Sequence, residues 1–440
     1  MPMQQALQEK LATQAAAVLA RYQPTIVAVT GSVGKTSTKE AIACVLRPGR
    51  DVRATSGNYN NELGVPLTIL GEESPGRSVF GWWGVLRRAR RLARGGHAYP
   101  KTLVLEMAMD RPGDLAKLVA FAKPSVAVVT DVSESHLEFF SSIEAIAEEK
   151  STIVRALGAN GVAVLNADNH WTAAMRKQHT GRTLTFGIKQ AADLHAEEIG
   201  TTDQLPPSAV SPDLEALKSL GLPLGTTFKL AYKGQHVPVR LPRVLGNQQV
   251  YAALAAAAVA VSQGRNLVQV GEALLGYVPP RGRMNLIPGE KQTLIIDDTY
   301  NASPVSTIAA LEVLGTLKPR GRRIAVLGDM AELGRASEAG HREVGKHVAH
   351  TADFAVFVGD KMALAAQAAE QAGMTDERHT EVHDSRQVEA VLESVMSQGD
   401  VVLVKGSQVA RMERVVKALM AEPERSGDLL VRQYGDWLTT

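Results

Sequence analysis

Short runs of aliphatic and β-branched residues alternate with longer segments of helical periodicity through the first part of the chain. The runs are TIVAVT at 25–30, TLVLEMAM at 102–109, SVAVVTDV at 125–132 and GVAVLN at 161–166. Continuous apolar runs of this length are typical of strands buried on both faces, and their alternation with helices favours a parallel sheet. The pattern predicts a doubly wound parallel α/β sheet, preceded by a lead-in helix over residues 1–24.

Between residues 179 and 245 the pattern changes to short segments with Pro, Gly and Thr. Within it, TFKLAYKGQHVPVRLP predicts a β-hairpin that turns at Lys233-Gly234. We interpret this region as a small antiparallel insert within the first domain.

A Pro279-Pro280-Arg281-Gly282 stretch predicts a domain boundary, because proline lacks a backbone donor and fixes φ. Beyond it the α/β rhythm restarts with TLIIDDTY, RRIAVLGDM, FAVFVGD and DVVLVKGS. These strands predict a smaller, Rossmann-like α/β domain. The predicted organisation is a lead-in helix (1–24), a central domain (25–281) and a C-terminal domain (282–440).

Composition excludes several classes of protein. The 440 residues include 48 Lys+Arg against 46 Asp+Glu, which is too balanced for a general nucleic-acid binder. A single cysteine, Cys44, excludes an intrachain disulfide, and no cluster of zinc-ligand spacing occurs. No segment is apolar for long enough to cross a bilayer or serve as a signal peptide. We therefore expect a cytoplasmic protein that binds no nucleic acid.

The strongest chemical motif follows the first strand and precedes a helix. Its residues are Gly31, Ser32, Val33, Gly34, Lys35, Thr36 and Ser37. Glycines allow backbone N–H groups to surround a phosphate, Lys35 neutralises phosphate charge and the Thr36 hydroxyl can bind Mg²⁺. The motif predicts a nucleoside triphosphate site, although Val29 stands where the full pattern has glycine. The alternative is a simple glycine-rich turn.

Three further residues of the first half have chemical potential. Glu106 interrupts an apolar strand, where a carboxylate is costly unless it is paired or binds a cation, so we favour a metal ligand. His136 follows the next strand and could bind a second metal or a substrate, although an isolated loop histidine more often has no such role. Lys150 lies in AIAEEKSTIV, and sequence physics alone favours a solvated lysine on an acidic helix face.

In the second half, Asp297 and Asp298 end a strand and precede TYNASP. They could bind a ribose hydroxyl or cap the helix that Pro304 begins, and the sequence leaves both readings open. GDMAELG and Lys405-Gly406-Ser407 end the neighbouring strands, so we expect them at the same sheet edge.

The segment FGWWGVLRRARRLARGG, residues 80–96, combines two tryptophans with five arginines. It could lie on an anionic membrane surface or hold an anionic substrate. A solvated helix anchored to the protein by an aromatic side chain is an equal alternative.

Taken together, these motifs resemble the Mur ligases, and within them the branch that adds a dipeptide to a muramoyl peptide. The matching segments are TGSVGKTSTKE, TSGNYNNELGVPLTIL, LEMAMDRPGD, SHLEFFSSIEAIAEEK, DDTYNASPVSTIAALEVL, GDMAELG and VKGSQVARMERVV. They extend from about residue 25 to about residue 420. The resemblance implies an ATP-binding central domain and a Rossmann-like ligase domain.

The resemblance also implies roles for individual residues. Lys35 would contact the ATP phosphates, Thr36 and Glu106 would hold one Mg²⁺, and His136 would hold the second. Lys150 would be carbamylated and act as a metal ligand, which overturns the solvated reading. The remaining implied positions are Gln249 near the adenine, Arg283 at the phosphates, Asp298 at the ribose, and Asn58, Asn61, Asn301 and Lys405 at the substrates.

The implied reaction is ATP-dependent formation of an amide bond. A substrate carboxylate attacks the γ-phosphate to give an acyl phosphate, and an amino acid or a dipeptide such as D-alanyl-D-alanine then displaces phosphate. We expect a monomer that needs ATP and Mg²⁺ and acts on a peptide, UDP-linked or lipid-linked precursor in cell-wall assembly.

Two departures from the family pattern bear on the substrate. About two dozen residues precede the first strand, so we expect the N-terminal UDP-binding domain of these ligases to be absent, and residues 81–96 could provide a peripheral membrane contact instead. The adenine-side pattern reads Gly246-Asn247-Gln248-Gln249, without the histidine of the family. The alternatives are a folylpolyglutamate-type or cyanophycin-type ligase and a non-catalytic nucleotide-binding module.

Overall fold

A computed structural model describes residues 2–57, 59–133, 139–209, 212–218 and 221–438. The chain divides into two compact units. The first comprises the residues up to 198, with 228–239 and 248–277, and the second comprises 199–227, 240–247 and 278–440.

This division assigns two segments differently from the predicted domains. Residues 199–227 and 240–247, which we placed in the central domain, belong to the second unit. The physical reason is burial, because Leu214, Leu217 and Leu245 join the hydrophobic core of that unit. The predicted boundary after residue 281 remains a prediction.

The strands form two sheets, of nine and six strands. The nine-stranded sheet has the order β2-β3-β1-β4-β5-β6-β7-β8-β9, and the six-stranded sheet has the order β10-β11-β15-β12-β13-β14. Their bounds are β1 Thr25–Thr30, β2 Val52–Ala54, β3 Thr102–Glu106, β4 Val126–Val129, β5 Val162–Asn166, β6 Arg182–Gly187, β7 Leu194–Thr202, β8 Gly225–Tyr232, β9 Gln235–Pro242, β10 Asn285–Gly289, β11 Thr293–Asp298, β12 Arg323–Gly328, β13 Phe354–Val358, β14 His379–Val382 and β15 Val401–Lys405.

The helices fall between the strands, as the alternating pattern predicts. They are α1 Pro2–Tyr22, α2 Lys35–Leu46, α3 Gly64–Leu70, α4 Val79–Ala93, α5 Asp114–Phe121, α6 Ile143–Arg155, α7 His170–Ala174, α8 Pro212–Lys218, α9 Asn247–Ser262, α10 Leu267–Leu274, α11 Pro304–Thr316, α12 Ser337–Thr351, α13 Ala363–Gln371, α14 Val388–Val395, α15 Glu413–Leu419 and α16 Ser426–Leu429. Within the described ranges, no helix has the length and apolar character that crossing a membrane requires.

The first sheet confirms the predicted parallel α/β architecture. Strand β1 lies between β3 and β4 and is parallel to both. The core strands are buried on both faces, which explains their unbroken apolar sequences. Strand β3 ends at Glu106, three residues before the predicted end of its apolar run. The buried carboxylate of Glu106 therefore stands at the carboxyl end of β3, where the strand meets the edge of the sheet.

The predicted hairpin forms from β8 and β9. Lys233 and Gly234 both have positive φ, 49° and 75°, which is the backbone that a two-residue type I′ turn requires. The hairpin does not form a separate sheet, because β8 and β9 continue the order of the nine-stranded sheet beyond β7.

The second sheet is parallel except at one edge, which confirms the predicted Rossmann-like character of the second unit. Strand β11 pairs in parallel with β15, and β12 pairs in parallel with β15 and β13. Strand β10, which the sequence pattern missed, is antiparallel to β11. The ends of β11, β12 and β15 lie at one edge, as expected for neighbouring parallel strands.

Candidate functional site

The phosphate-loop motif occupies the turn from β1 to α2. Gly31 and Gly34 have φ of 152° and 84°, and helix α2 begins directly afterwards at Lys35. A Cβ atom on Gly31 would lie 1.9 Å from Thr130 Oγ1, so the loop packs against the end of β4 without room for a side chain. The α2 N-terminus thus meets the loop, an arrangement that suits an anion.

Polar contacts with the segment after β4 hold this loop in place. Thr130 Oγ1 donates to the Val33 carbonyl at 2.6 Å, and the Ser32 N–H donates to the Asp131 carbonyl at 2.8 Å. The Lys35 ammonium folds back and donates to the Gly31 carbonyl at 2.6 Å. The lysine therefore lies over the loop, where it can exchange a carbonyl for a phosphate oxygen.

Glu106 stands beside the start of α2, although 70 residues separate it from Thr36. Its carboxylate is 2% exposed, and its Oε1 accepts hydrogen bonds from Thr36 Oγ1 at 3.3 Å and Asn60 Nδ2 at 3.1 Å. Its Oε2 is buried and has no hydrogen-bond partner among the described residues. A buried carboxylate oxygen left unsatisfied next to a threonine hydroxyl fits an oxygen-ligand site for Mg²⁺.

Lys150 is buried, so the reading of a solvated lysine is wrong. Its side chain is 2% exposed on α6, because that residue lies on the inner face of the helix. Burial first, and the charge of Lys35 second, hold the pKa of Lys150 well below its usual 10.5. A lysine with this pKa can exist as a neutral amine, the nucleophilic form.

Asp131 faces the same group of charges and was missed by the sequence reasoning. Burial raises the pKa of its carboxyl, while Lys150 and Lys35 act in the opposite direction. Asn169 Nδ2 donates to Asp131 Oδ1 at 2.9 Å and fixes the carboxylate. The available signal was an acidic residue close to the end of a buried strand, since β4 ends two residues before Asp131; Asp297 and Asp298 stand at the end of β11 itself.

The asparagines between β2 and α3 have different contacts. Asn58 and His136 lie outside the described residues. Asn61 Oδ1 accepts from the Leu63 and Gly64 N–H groups, at 3.1 and 3.0 Å, and so holds the turn that leads into α3. Asn60, which we did not select, is the asparagine that reaches Glu106.

Gln249 lies buried on α9, as close packing of this alanine-rich helix requires. Tyr277 donates its hydroxyl proton to Gln249 Oε1 at 2.9 Å, and the same hydroxyl lies 3.4 Å from the Ser37 carbonyl on α2. These contacts connect the predicted adenine-side residue to the helix that follows the phosphate loop.

In the second unit, three predicted residues meet at the edge formed by β11 and β15. Lys405 Nζ donates to Asp298 Oδ2 at 2.6 Å and to the Asn301 carbonyl at 2.9 Å. Burial lowers the pKa of Lys405, and the charge of Asp298 opposes that shift. The Arg283 guanidinium stacks over the Tyr300 ring at 4.1 Å in the adjoining loop.

A buried ion network that the sequence did not reveal supports this loop. Glu413 is fully buried and accepts from Arg432 and Arg411, both at 2.7 Å. Arg432 also donates to the carbonyls of Thr299 and Tyr300, at 2.5 and 3.1 Å. The network fixes the backbone directly after Asp298.

Two family models cover most of the chain. Residues 29–80 and 83–260 match the Mur ligase middle domain, and residues 282–408 match the Mur ligase glutamate ligase domain. The UDP-N-acetylmuramoyl-tripeptide--D-alanyl-D-alanine ligase of Mycobacterium bovis is 35% identical over 433 residues, which cover 94% of this chain and 76% of the relative. The enzyme of the same name from Escherichia coli is 32% identical, over 90% of this chain and 76% of the relative.

Solved structures agree with the sequence relatives. MurF ligase from Thermotoga maritima, solved in complex with ADP, has a TM-score of 0.75 and 28% identity, and the match covers 95% of this chain and 84% of that one. MurF from Acinetobacter baumannii has a TM-score of 0.74 and 26% identity, over 92% of this chain and 79% of that one. The predicted resemblance is confirmed: the chain belongs to the Mur ligase family.

Proposed function

We propose that this protein is an ATP-dependent, ADP-forming ligase that joins a carboxylate to an amine in peptidoglycan assembly. The observation that carries the proposal is the geometry at Glu106: its Oε1 accepts from Thr36 at the end of the phosphate loop, and its buried Oε2 has no partner among the described residues. Membership of the Mur ligase family supports the same conclusion for the chemistry as a whole.

We propose that Thr36 and Glu106 hold Mg²⁺, which would neutralise charge on the transferred phosphoryl group. Backbone N–H groups of the loop would bind the phosphates of ATP, and Lys35 would offset the charge that develops as the substrate carboxylate attacks. Asn60 keeps Glu106 in its orientation through their hydrogen bond. His136 is proposed as a ligand of a second metal on the strength of the family resemblance.

Lys150 is proposed to carry a carbamate. Its burial and lowered pKa support this role, because only a neutral amine attacks CO₂. The neutral nitrogen forms a bond to the carbon of CO₂ as one C–O π bond opens, and the nitrogen then loses a proton to water. A neutral amine thereby becomes an anionic carbamate, whose oxygen can bind a metal. The positive field of Lys35, which disfavours an ammonium at this place, favours a carbamate.

The second unit is proposed to contribute residues that bind the ribose and phosphate of ATP and residues that bind the substrates. Asp298 would accept from ribose hydroxyls and Arg283 would contact phosphate, whereas Asn301 and Lys405 would contact the substrates. The support is their grouping at one sheet edge, with Lys405 donating to Asp298 and to the Asn301 carbonyl. Gln249 is proposed to lie on the adenine side.

We propose D-alanyl-D-alanine as the amine and UDP-muramoyl tripeptide as the carboxylate, because relatives of at least 30% identity carry these compounds in their names. A lipid-linked carboxylate is the second possibility to test. The protein is proposed to act in the cytoplasm as a monomer.

The decisive experiment measures phosphate release from ATP and Mg²⁺ with each substrate alone and with both together. We expect release only when carboxylate and amine are both present. Lys35→Met should lower the rate by about 10²–10³-fold, the usual effect of removing one group that stabilises transition-state charge. Lys177→Met, an exposed lysine of the same unit, is the matched control and should leave the rate unchanged.

Each other outcome has a definite meaning. Release that requires glutamate in place of the dipeptide would identify a folylpolyglutamate-type activity and refute the proposed substrates. ATP binding without release under every combination of carboxylate and amine would refute the ligase proposal and favour a nucleotide-binding module.

A further inference from the structure

Helix α4 presents two faces of different chemistry. Its inner face is buried through Val85 and Ala89, each 1% exposed, in the hydrophobic core of the first unit. Its outer face is formed by residues at helical spacings of three and four, which place them on one side of the helix. This outer face consists of Val79, Phe80, Trp83, Arg87, Arg90, Arg91 and Arg94, all of them exposed.

Apolar side chains occupy the N-terminal end of the outer face. Val79, Phe80 and Trp83 are 74%, 88% and 63% exposed, because the rotation of α4 about its own axis keeps them out of the core. The neighbouring Trp82 packs against the core and donates its indole N–H to the Gly76 carbonyl at 2.9 Å, which fixes that rotation. The exposure of three large apolar side chains is therefore set by the fold, and such a patch indicates an interaction site.

Positive charge occupies the other end of the outer face. The sequence contains no Asp or Glu from residue 74 to residue 105. Arg88, on the flank of the helix, forms a bidentate pair with Glu72. None of the four arginines of the outer face forms a salt bridge to a described residue, and Arg87 lies over the Trp83 ring at 5.6 Å. A chain of net charge +2 thus concentrates about four uncompensated charges on one helix.

We propose that the outer face of α4 docks onto a bilayer surface that carries anionic lipid headgroups, with the helix axis parallel to the membrane. Guanidinium groups pair with lipid phosphates, and aromatic rings settle at the depth of the headgroups. Residues 80 and 94 lie about 21 Å apart along the helix, so apolar and basic parts reach the same plane together.

The apolar end of the face favours a membrane over a nucleic acid. Single-stranded nucleic acid can stack on Trp83 and pair with arginines, but it offers no apolar phase to Val79. A bilayer offers the aliphatic and aromatic side chains an apolar region, and it offers the arginines a layer of anionic lipid phosphates. This surface is separate from the residues assigned to ligase chemistry, so it does not depend on the proposed substrates.

The test is flotation of the full-length chain with lipid vesicles. We expect binding to vesicles of phosphatidylcholine mixed with phosphatidylglycerol, little binding to phosphatidylcholine alone, and weaker binding at high salt. The variant R90Q/R91Q/R94Q should lose about a hundredfold in partition coefficient, because each basic residue near an anionic surface contributes about fivefold. F80S/W83S should weaken binding at low and at high salt.

The matched control removes the same charge elsewhere in the same unit. Arg176, Lys177 and Arg182 are exposed, and R176Q/K177Q/R182Q should bind the vesicles as the unaltered chain does. An equal loss in both triple variants would show that only net charge matters and would overturn the proposal. Failure of the unaltered chain to float, or binding of single-stranded DNA in place of vesicles, would also overturn it. Thermal melting and ATP binding, measured on each variant, show that the fold is intact.

Discussion

Asp297 and Asp298 are adjacent at the end of β11, yet the same substitution should change stability in opposite directions. Asp297 is fully buried, and its Oδ1 accepts from the Thr299 N–H and hydroxyl at 3.1 and 2.6 Å. Its Oδ2 has no hydrogen-bond partner within the described part of the chain. Burial raises the pKa of Asp297 from 3.8 to about 6. Asp298, in contrast, pairs with Lys405 at 2.6 Å.

The pKa of Asp297 sets the size of the effect. The pKa of Asp297 lies about 2 above its ordinary value of 3.8. At about 1.4 kcal/mol per unit, the ionised carboxylate costs about 3 kcal/mol at neutral pH. Asn at this position keeps the Oδ1 acceptor but buries an unsatisfied amide, which offsets about 1–2 kcal/mol. We expect D297N to be more stable than the natural sequence by about 1–2 kcal/mol at neutral pH.

The sign reverses on acidification. Because the folded pKa is raised, the folded state keeps its proton below pH 6, and the cost of ionisation disappears as the pH falls from 6 towards 3.8. The advantage of D297N should therefore vanish at about pH 5 and become a deficit near pH 4, where the cost of the buried amide outweighs the remaining cost of ionisation. D298N leaves the buried Lys405 ammonium without its carboxylate and should cost about 3 kcal/mol or more.

Native-state hydrogen exchange provides the assay, because it reports the opening free energy of individual strands. Peptides from β11 and β15 should exchange more slowly in D297N and faster in D298N at neutral pH. A gain for D297N that is equal at neutral pH and near pH 4 would refute the ionisation argument. A loss in both variants would show that Asp297 makes a favourable interaction that its burial and contacts do not reveal.

Three further predictions concern the first unit. With ATP present, adding Mg²⁺ should raise the melting temperature of the natural protein but not that of E106Q. E106Q should also lower the rate of phosphate release by about 10²–10³-fold, because it removes the charge beside the phosphate loop. An unchanged Mg²⁺ dependence would exclude Glu106 as a ligand. K150M should abolish ligase activity and flatten the pH dependence of stability. Because the pKa of Lys150 is lowered in the folded state, the unfolded chain binds a proton that the folded chain does not, so the free energy of unfolding of the natural protein rises by up to about 1.4 kcal/mol per pH unit as the pH rises towards 10.5. Urea unfolding at two alkaline pH values measures this difference. G31A should lower the melting temperature and weaken ATP binding, because its Cβ would lie 1.9 Å from Thr130 Oγ1, and adding T130A should restore part of both.

Features encoded by neighbouring residues were predictable. The apolar run at 25–30 forms a strand with those bounds, and the turn at Lys233-Gly234 forms where the sequence places it. The phosphate loop also falls at its predicted place between β1 and α2. In each case a few consecutive residues contain the whole signal, because strand burial, turn geometry and loop conformation depend on local side chains and φ angles.

Features that depend on distant partners were not predictable. Lys150 carries the local pattern of a solvated lysine, but the rotation of α6 turns it inward, next to Asp131 and Lys35. Asn60 contacts Glu106, whereas the side-chain oxygen of its neighbour Asn61 accepts from the backbone of the turn before α3. Which side chain is buried and which one contacts a distant partner depends on the direction in which each residue of a loop or helix points.

The sequence by itself determined the alternation of strands and helices, the phosphate loop and the family, since each rests on contiguous motifs. The tertiary structure alone decided which charges meet. Arg432 reaches Glu413 across 19 residues and the Thr299 carbonyl across 133, and Thr36 reaches Glu106 across 70. Electrostatic effects depend on distance and burial in space, so the pKa of Asp297 or Lys150 exists only once the folded chain has brought its surroundings together.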